Sequence, residues 1–135
     1  MMQPLTLRLS PGQDVRAALE AVLAEHALQA AFVLQGIGSL DVAQLRLAGA
    51  AAPTALRGDM EILTLAGSLS LDGAHLHMAV ADAQGRVTGG HVAGGCIVRT
   101  TAEILLALLP GQRFSRLPDA GTGYAELFVA PARPA

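Results

Sequence analysis

The sequence has no lysine, no tryptophan, a single cysteine and only 3% aromatic residues. Each scarcity excludes something. With Cys96 alone no internal disulfide can form, which fits a reducing compartment, the cytoplasm. Phe32, Phe114, Phe128 and Tyr124 are too few aromatic rings for a base-stacking platform. All nine cations are arginine, scattered from Arg8 to Arg133 against eleven acidic residues, for a formal net charge of −2. Nucleic-acid affinity rests on concentrated cations that displace counterions, so this composition speaks against DNA binding. Charge is scarce too. At 15% charged and 52% hydrophobic residues the chain is too apolar for disorder. Its most apolar stretch, Ala17 to Leu34, is broken by Glu20, Glu25, His26 and Gln29, so no membrane span is expected. The opening MMQPLTLRLSPG has no basic segment followed by an apolar one, so no secretory signal is expected.

What is present reads as one domain over residues 1–135, with a core from about 5 to 129. So many apolar residues in a short chain also imply a buried subunit interface. Leu5 to Leu9 alternates as a half-buried strand. Ser10 to Asp14 supplies turn and cap chemistry for an amphipathic helix from Val15 to near His26, with Val15, Leu19, Val22 and Leu23 on one face. Strands are expected at Ala31–Leu34 and Val42–Leu47, separated by a tight turn at Gly36-Ile37-Gly38. Ala48 to Gly58 reads as a small-residue loop. Glu61–Leu71 follows as a strand with Gly67 as a bulge or close approach, then a hairpin turn at Asp72-Gly73. His75–Ala81 and Val87–Val98 flank a second turn, Ala83-Gln84-Gly85. Thr100-Thr101-Ala102-Glu103 matches a capping box and predicts a second helix, Ala102 to Leu109, stopped by Pro110-Gly111. Arg113–Leu117 and Tyr124–Val129 are the last strands, before a Pro/Ala tail expected to fray. The class is α+β, mostly antiparallel sheet with two helices.

Three of the four histidines crowd into one hairpin. Strand alternation sends His75 and His77 to the same face. A three-residue loop at Ala83–Gly85 sets Asp82 against Arg86, and counting outward places His77 opposite His91 with His75 diagonal to it. Clustered imidazoles suit zinc or another borderline divalent metal, and three ligands leave a position for water or a small ligand. The residues alone leave a second reading open, a histidine cluster satisfied by carboxylates or water. His26 reads as a helix-end residue. Cys96 has the opposite parity to His91 and reads as a buried structural thiol. Glu61, Asp82 and Glu103 are candidates for a general base or a supporting partner, with Glu103 expected on its cap and Asp82 on the hairpin or Arg86. No nucleophile elbow, zinc-protease helix, dinucleotide fingerprint or phosphate loop occurs.

The blocks LRLSPGQDV, GIGSL, AQLR, GDMEILTLAGSL, HLHMAVADAQGRVTGGHV, GCIVRTTAEI, FSRLPD and TGYAEL closely resemble the PPC domain, conserved in plants and prokaryotes, from about Leu5 to Phe128. The resemblance implies a compact domain around an antiparallel sheet that assembles as a homotrimer. It also implies a metal ion on the residues matching His75, His77 and His91. Plant members join the domain to AT-hooks that grip the minor groove. Here the nearest segment, Pro131-Ala132-Arg133-Pro134, lacks that motif's glycine and first arginine, so a stand-alone prokaryotic member is expected. The expectation is a homotrimeric metal-binding protein, with a DNA-associated regulator or a metal-dependent hydrolase or lyase as alternatives.

Overall fold

A computed structural model describes residues 1–135. Apolar alternation builds eight strands: β1 (Gln3–Leu9), β2 (Ala31–Arg46), β3 (Thr54–Ser70), β4 (Gly73–Asp82), β5 (Val87–Val92), β6 (Ile97–Leu108), β7 (Gln112–Pro118) and β8 (Ala125–Pro131). The first six form one sheet in the order β1-β6-β2-β3-β4-β5, and β5 also pairs with the end of β2 through Leu45–Val92 and Arg46–His91. β7 and β8 form a separate two-stranded sheet, and every strand pair is antiparallel.

The expected first helix is present but bent at Ala21 into α1 (Val15–Glu20) and α2 (Val22–Glu25). Its four apolar residues, Val15, Leu19, Val22 and Leu23, are buried in a core with Leu40, Leu45, Leu65, Leu69, Leu76 and Ile104. Each such side chain contributes about 1.5–3 kcal/mol by leaving water. Asp14 is the N-cap. One carboxylate oxygen accepts from the Ala17 N–H at 3.0 Å and the other from Gly95 N–H at 2.7 Å. Arg16 pins the helix to the histidine hairpin by donating to the Ala74 and Val92 carbonyls, each at 2.8 Å, while Glu20 holds its Nε. No helix is long and apolar enough to cross a membrane.

The second helix is not there. Ala102–Leu109 lies almost wholly in β6, a central strand between β1 and β2. Ala102, Ile104 and Leu106 point inward and Glu103 and Leu105 outward, a period of two. Alanine and leucine favour helices, but pairing on both sides of a buried strand outweighs that preference. Glu103 is therefore no capping residue; it faces Arg8 on β1 and Ile37 on β2.

Smaller departures follow from close backbone approach. Gly36 to Gly38 makes no turn, and β2 runs unbroken through it. A Cβ on Gly36 would come within 3.1 Å of Leu65, and one on Gly38 would fall on the Thr101 carbonyl, so these glycines admit the neighbouring strands. β3 begins at Thr54, taking part of the expected loop. The run Val87–Val98 is broken into β5 and β6 at Gly94-Gly95. Ser70 pairs with Gly73, so the turn residues are Leu71 and Asp72. The tail is held, since Gln29 exchanges two 3.0 Å side-chain bonds with the Arg133 backbone.

Candidate metal centre

The β4–β5 hairpin has the loop its sequence dictates. Asp82 N–H donates to the Arg86 carbonyl at 2.9 Å, Gly85 N–H returns to Asp82, and Gly85 has φ of 78°, the left-handed position glycine tolerates. The Asp82 side chain clamps the loop by accepting from the Gln84 and Arg86 amides and from Arg86 Nε. The register outward pairs His77 with His91, as the residue count requires. Leu76, Met78 and Val92 are buried, so alternation turns all three imidazoles out of the core. Gly90 is needed on its own account, because a Cβ there would stand 2.7 Å from the Arg46 carbonyl where β2 meets β5.

The rings converge. Their centroids lie 5.0 Å apart for His75–His77, 5.4 Å for His75–His91 and 4.5 Å for His77–His91. One nitrogen from each falls within 4.8 Å of the others. Tetrahedral zinc with bonds of about 2.0–2.1 Å holds its nitrogen ligands roughly 3.3 Å apart, so the rings would have to close further around an ion. The donor set fits a borderline divalent ion.

Two arginines and one carboxylate stand beside the rings. Arg116, carried by β7, donates from Nη2 to Ser68 Oγ at 2.8 Å and to His75 Nδ1 at 3.1 Å. Ser68 is the β3 residue opposite His75. Arg46 sits directly across from His91 on β2. Partial desolvation, then the Arg116 charge and the other two imidazoles, lower the His75 pKa against the opposing pull of Glu126. Desolvation, then Arg46 and His77, lower that of His91. A cavity of about 790 Å³ opens over this edge, and Glu126 is its only acidic lining residue.

The sign of the pH effect follows. A fold that lowers these two pKa values refuses protons the unfolded chain accepts, so stability is greatest above the ordinary histidine pKa of about 6.5 and falls below it. Thermal melts of metal-free protein from pH 7.5 to 5 are expected to show a falling Tm, and the double variant His75→Gln/His91→Gln a flatter profile. Equal slopes in the two proteins would refute the assignment.

The other expected residues lie elsewhere. His26 is exposed at the end of α2. Cys96 is buried, its thiol bonded to the Gln44 backbone and its pKa raised by burial. Glu61 and Asp82 line a different cavity with Arg99. Neither these nor Glu103 joins the imidazole cluster. Arg46, Arg116 and Glu126 carry no local signal of a place beside the histidines, although all three fall within the blocks AQLR, FSRLPD and TGYAEL.

Known proteins match this fold and chain closely. A family model, the Plants and Prokaryotes Conserved (PCC) domain, matches residues 1–110. A solved hypothetical protein from Salmonella enterica is 44% identical with a TM-score of 0.93, covering 97% of this chain and 95% of its own. A metal-containing protein from Archaeoglobus fulgidus is 25% identical with a TM-score of 0.80 over 93% of each chain. The bifunctional protein GlmU of a Synechococcus strain is 53% identical over 125 residues, 93% of this chain; the chain spans only 20% of that protein's length.

Proposed function

We propose, for a chain that belongs to the Plants and Prokaryotes Conserved (PCC) domain family, that it is a cytoplasmic homotrimer binding a divalent metal, zinc, through His75, His77 and His91. The convergence of three imidazole nitrogens within 4.8 Å carries this reading. The metal-containing relative from Archaeoglobus fulgidus supports it. Three protein ligands leave a tetrahedral ion one position for water or a small molecule. When bound, the ion would supply a Lewis acid; the imidazoles hold it and the cavity admits the ligand. Hydrolase or lyase chemistry would also need a base, and Glu126 is the carboxylate the cavity offers. The DNA-associated reading, which the names of two more distant structural neighbours suggest, is disfavoured by a net charge of −2.

Phe32, Leu34 and Ile37 on β2, Leu63 on β3 and Leu105 on β6 stand 38–50% exposed on adjacent strands, an apolar surface suited to a subunit interface. Elemental analysis after growth with added zinc is expected to give about one ion per chain, and sedimentation equilibrium about three times the 13.8 kDa chain mass. Metal-free protein would refute the first reading, and a stable monomer at micromolar concentration the second.

A further inference from the structure

We propose that the cavity beside the histidines receives a small oxyanion, a carboxylate or a phosphoryl group, gripped by Arg46 and by Arg116 once a metal ion has displaced Arg116 from His75. This rests on the metal reading above and names the class of ligand that shares the site.

The cavity wall is cationic in a chain that is acidic overall. Arg16, Arg46 and Arg116 line it against Glu126 alone. Arg16 is fully engaged by Glu20 and two carbonyls. Arg46 and Arg116 have no carboxylate within salt-bridge distance, unlike Arg16, Arg86 and Arg99. Arg46 makes a single long bond, Nη1 to the Ala50 carbonyl at 3.3 Å. Guanidinium groups match carboxylate and phosphate oxygens in a two-pronged geometry. Two of them without an acidic partner, on the rim of one cavity, make an anion receptor.

The bond between Arg116 and His75 couples this receptor to the metal. A guanidinium only donates, so His75 Nδ1 is the acceptor and its proton sits on Nε2. A neutral imidazole has one lone-pair nitrogen, and a metal ion needs it. An ion bound at Nδ1 takes the place of Arg116. An ion bound at Nε2 moves the proton to Nδ1, which then meets the guanidinium donor with a donor of its own. Either way the bond breaks. Arg116 would keep Ser68, and its freed N–H would be available to a ligand in the cavity it lines. An anion held by the guanidinium beside a bound cation would be favoured by it and would favour it in return.

The test uses the full chain, zinc-loaded and metal-free, titrated calorimetrically with acetate and with inorganic phosphate at constant ionic strength. At least one anion is expected to bind ten-fold or more tightly to the loaded protein, and the preferred one tells carboxylate from phosphoryl. Arg46→Gln and Arg116→Gln are expected to weaken it ten-fold or more while still holding zinc. Without anion, Arg116→Gln is expected to bind zinc several-fold more tightly than wild type, since no guanidinium competes for His75; a purely structural arginine would not raise metal affinity. Circular dichroism melts check that both variants fold. Zinc binding with anion affinity indifferent to both arginines overturns the anion site and leaves the metal reading standing. A wild type that takes up no zinc overturns both.

Discussion

Loss of about two orders of magnitude in zinc affinity is expected for each of His75→Ala, His77→Ala and His91→Ala. Structural zinc sites with four ligands are worth roughly 10–16 kcal/mol, about 3 kcal/mol per ligand, which is roughly 100-fold at room temperature. The three rings come from two strands in a fixed register, and no carboxylate joins the cluster to replace a lost one. His26→Ala is the control, because His26 is exposed at the end of α2 and apart from the cluster. Zinc retained after dialysis should fall in the three variants and stay unchanged in the control. Full occupancy in all three would reduce the site to an ordinary histidine cluster.

The second large effect concerns a residue with no side chain at all. Gly67 on β3 has φ of 154° and lies opposite Leu76 on β4 and Val33 on β2. A Cβ there would fall on the His75 carbonyl and within 2.8 Å of the Leu76 Cα. Both obstacles are backbone, so no rotamer change relieves them. Gly67→Ala must push β4 off β3, adding overpacking to a conformation L-residues avoid, about 3 kcal/mol or more together. For a domain of this size that is a fall of roughly 10 °C or more in Tm. Zinc affinity should fall too, since His75 rides on the displaced segment. Gly111→Ala, with nothing near its Cβ and no positive φ, is expected to be nearly neutral. Similar melting of the two variants would show that the sheet absorbs the extra carbon.

The hairpin was legible because its determinants are local. A loop of three residues ending in glycine fixes the register, and alternation then fixes the face, so His77 against His91 needs no long-range information. The first helix was legible for the same reason, by its apolar spacing and Asp14. β6 was not, because Thr100 to Leu109 carries helix-forming residues and a capping pattern, and only its place between β1 and β2 decides otherwise. Gly36 and Gly38 carry the composition of a turn, while the strands they accommodate come from far along the chain. Arg46 and Arg116 reach the histidines through the β2–β5 pairing and the β7–β8 sheet, neither of which leaves a local pattern.

The same contrast between near and far sets an order of assembly. All three imidazoles lie on the hairpin from Gly73 to Val92, whose ends are joined by a short loop. Short loops close at little entropic cost, and hairpins form within microseconds. The three imidazoles can therefore meet while the rest of the chain is still open, and on the proposed metal reading a captured ion would hold the register of β4 against β5 as a template for later strands. Arg46 and Arg116 arrive only when β2 and β7 dock across long stretches of chain. On a chain emerging from the ribosome, three strands, β6, β7 and β8, are still to be made after His91, so on the proposed reading metal capture precedes the cavity above it.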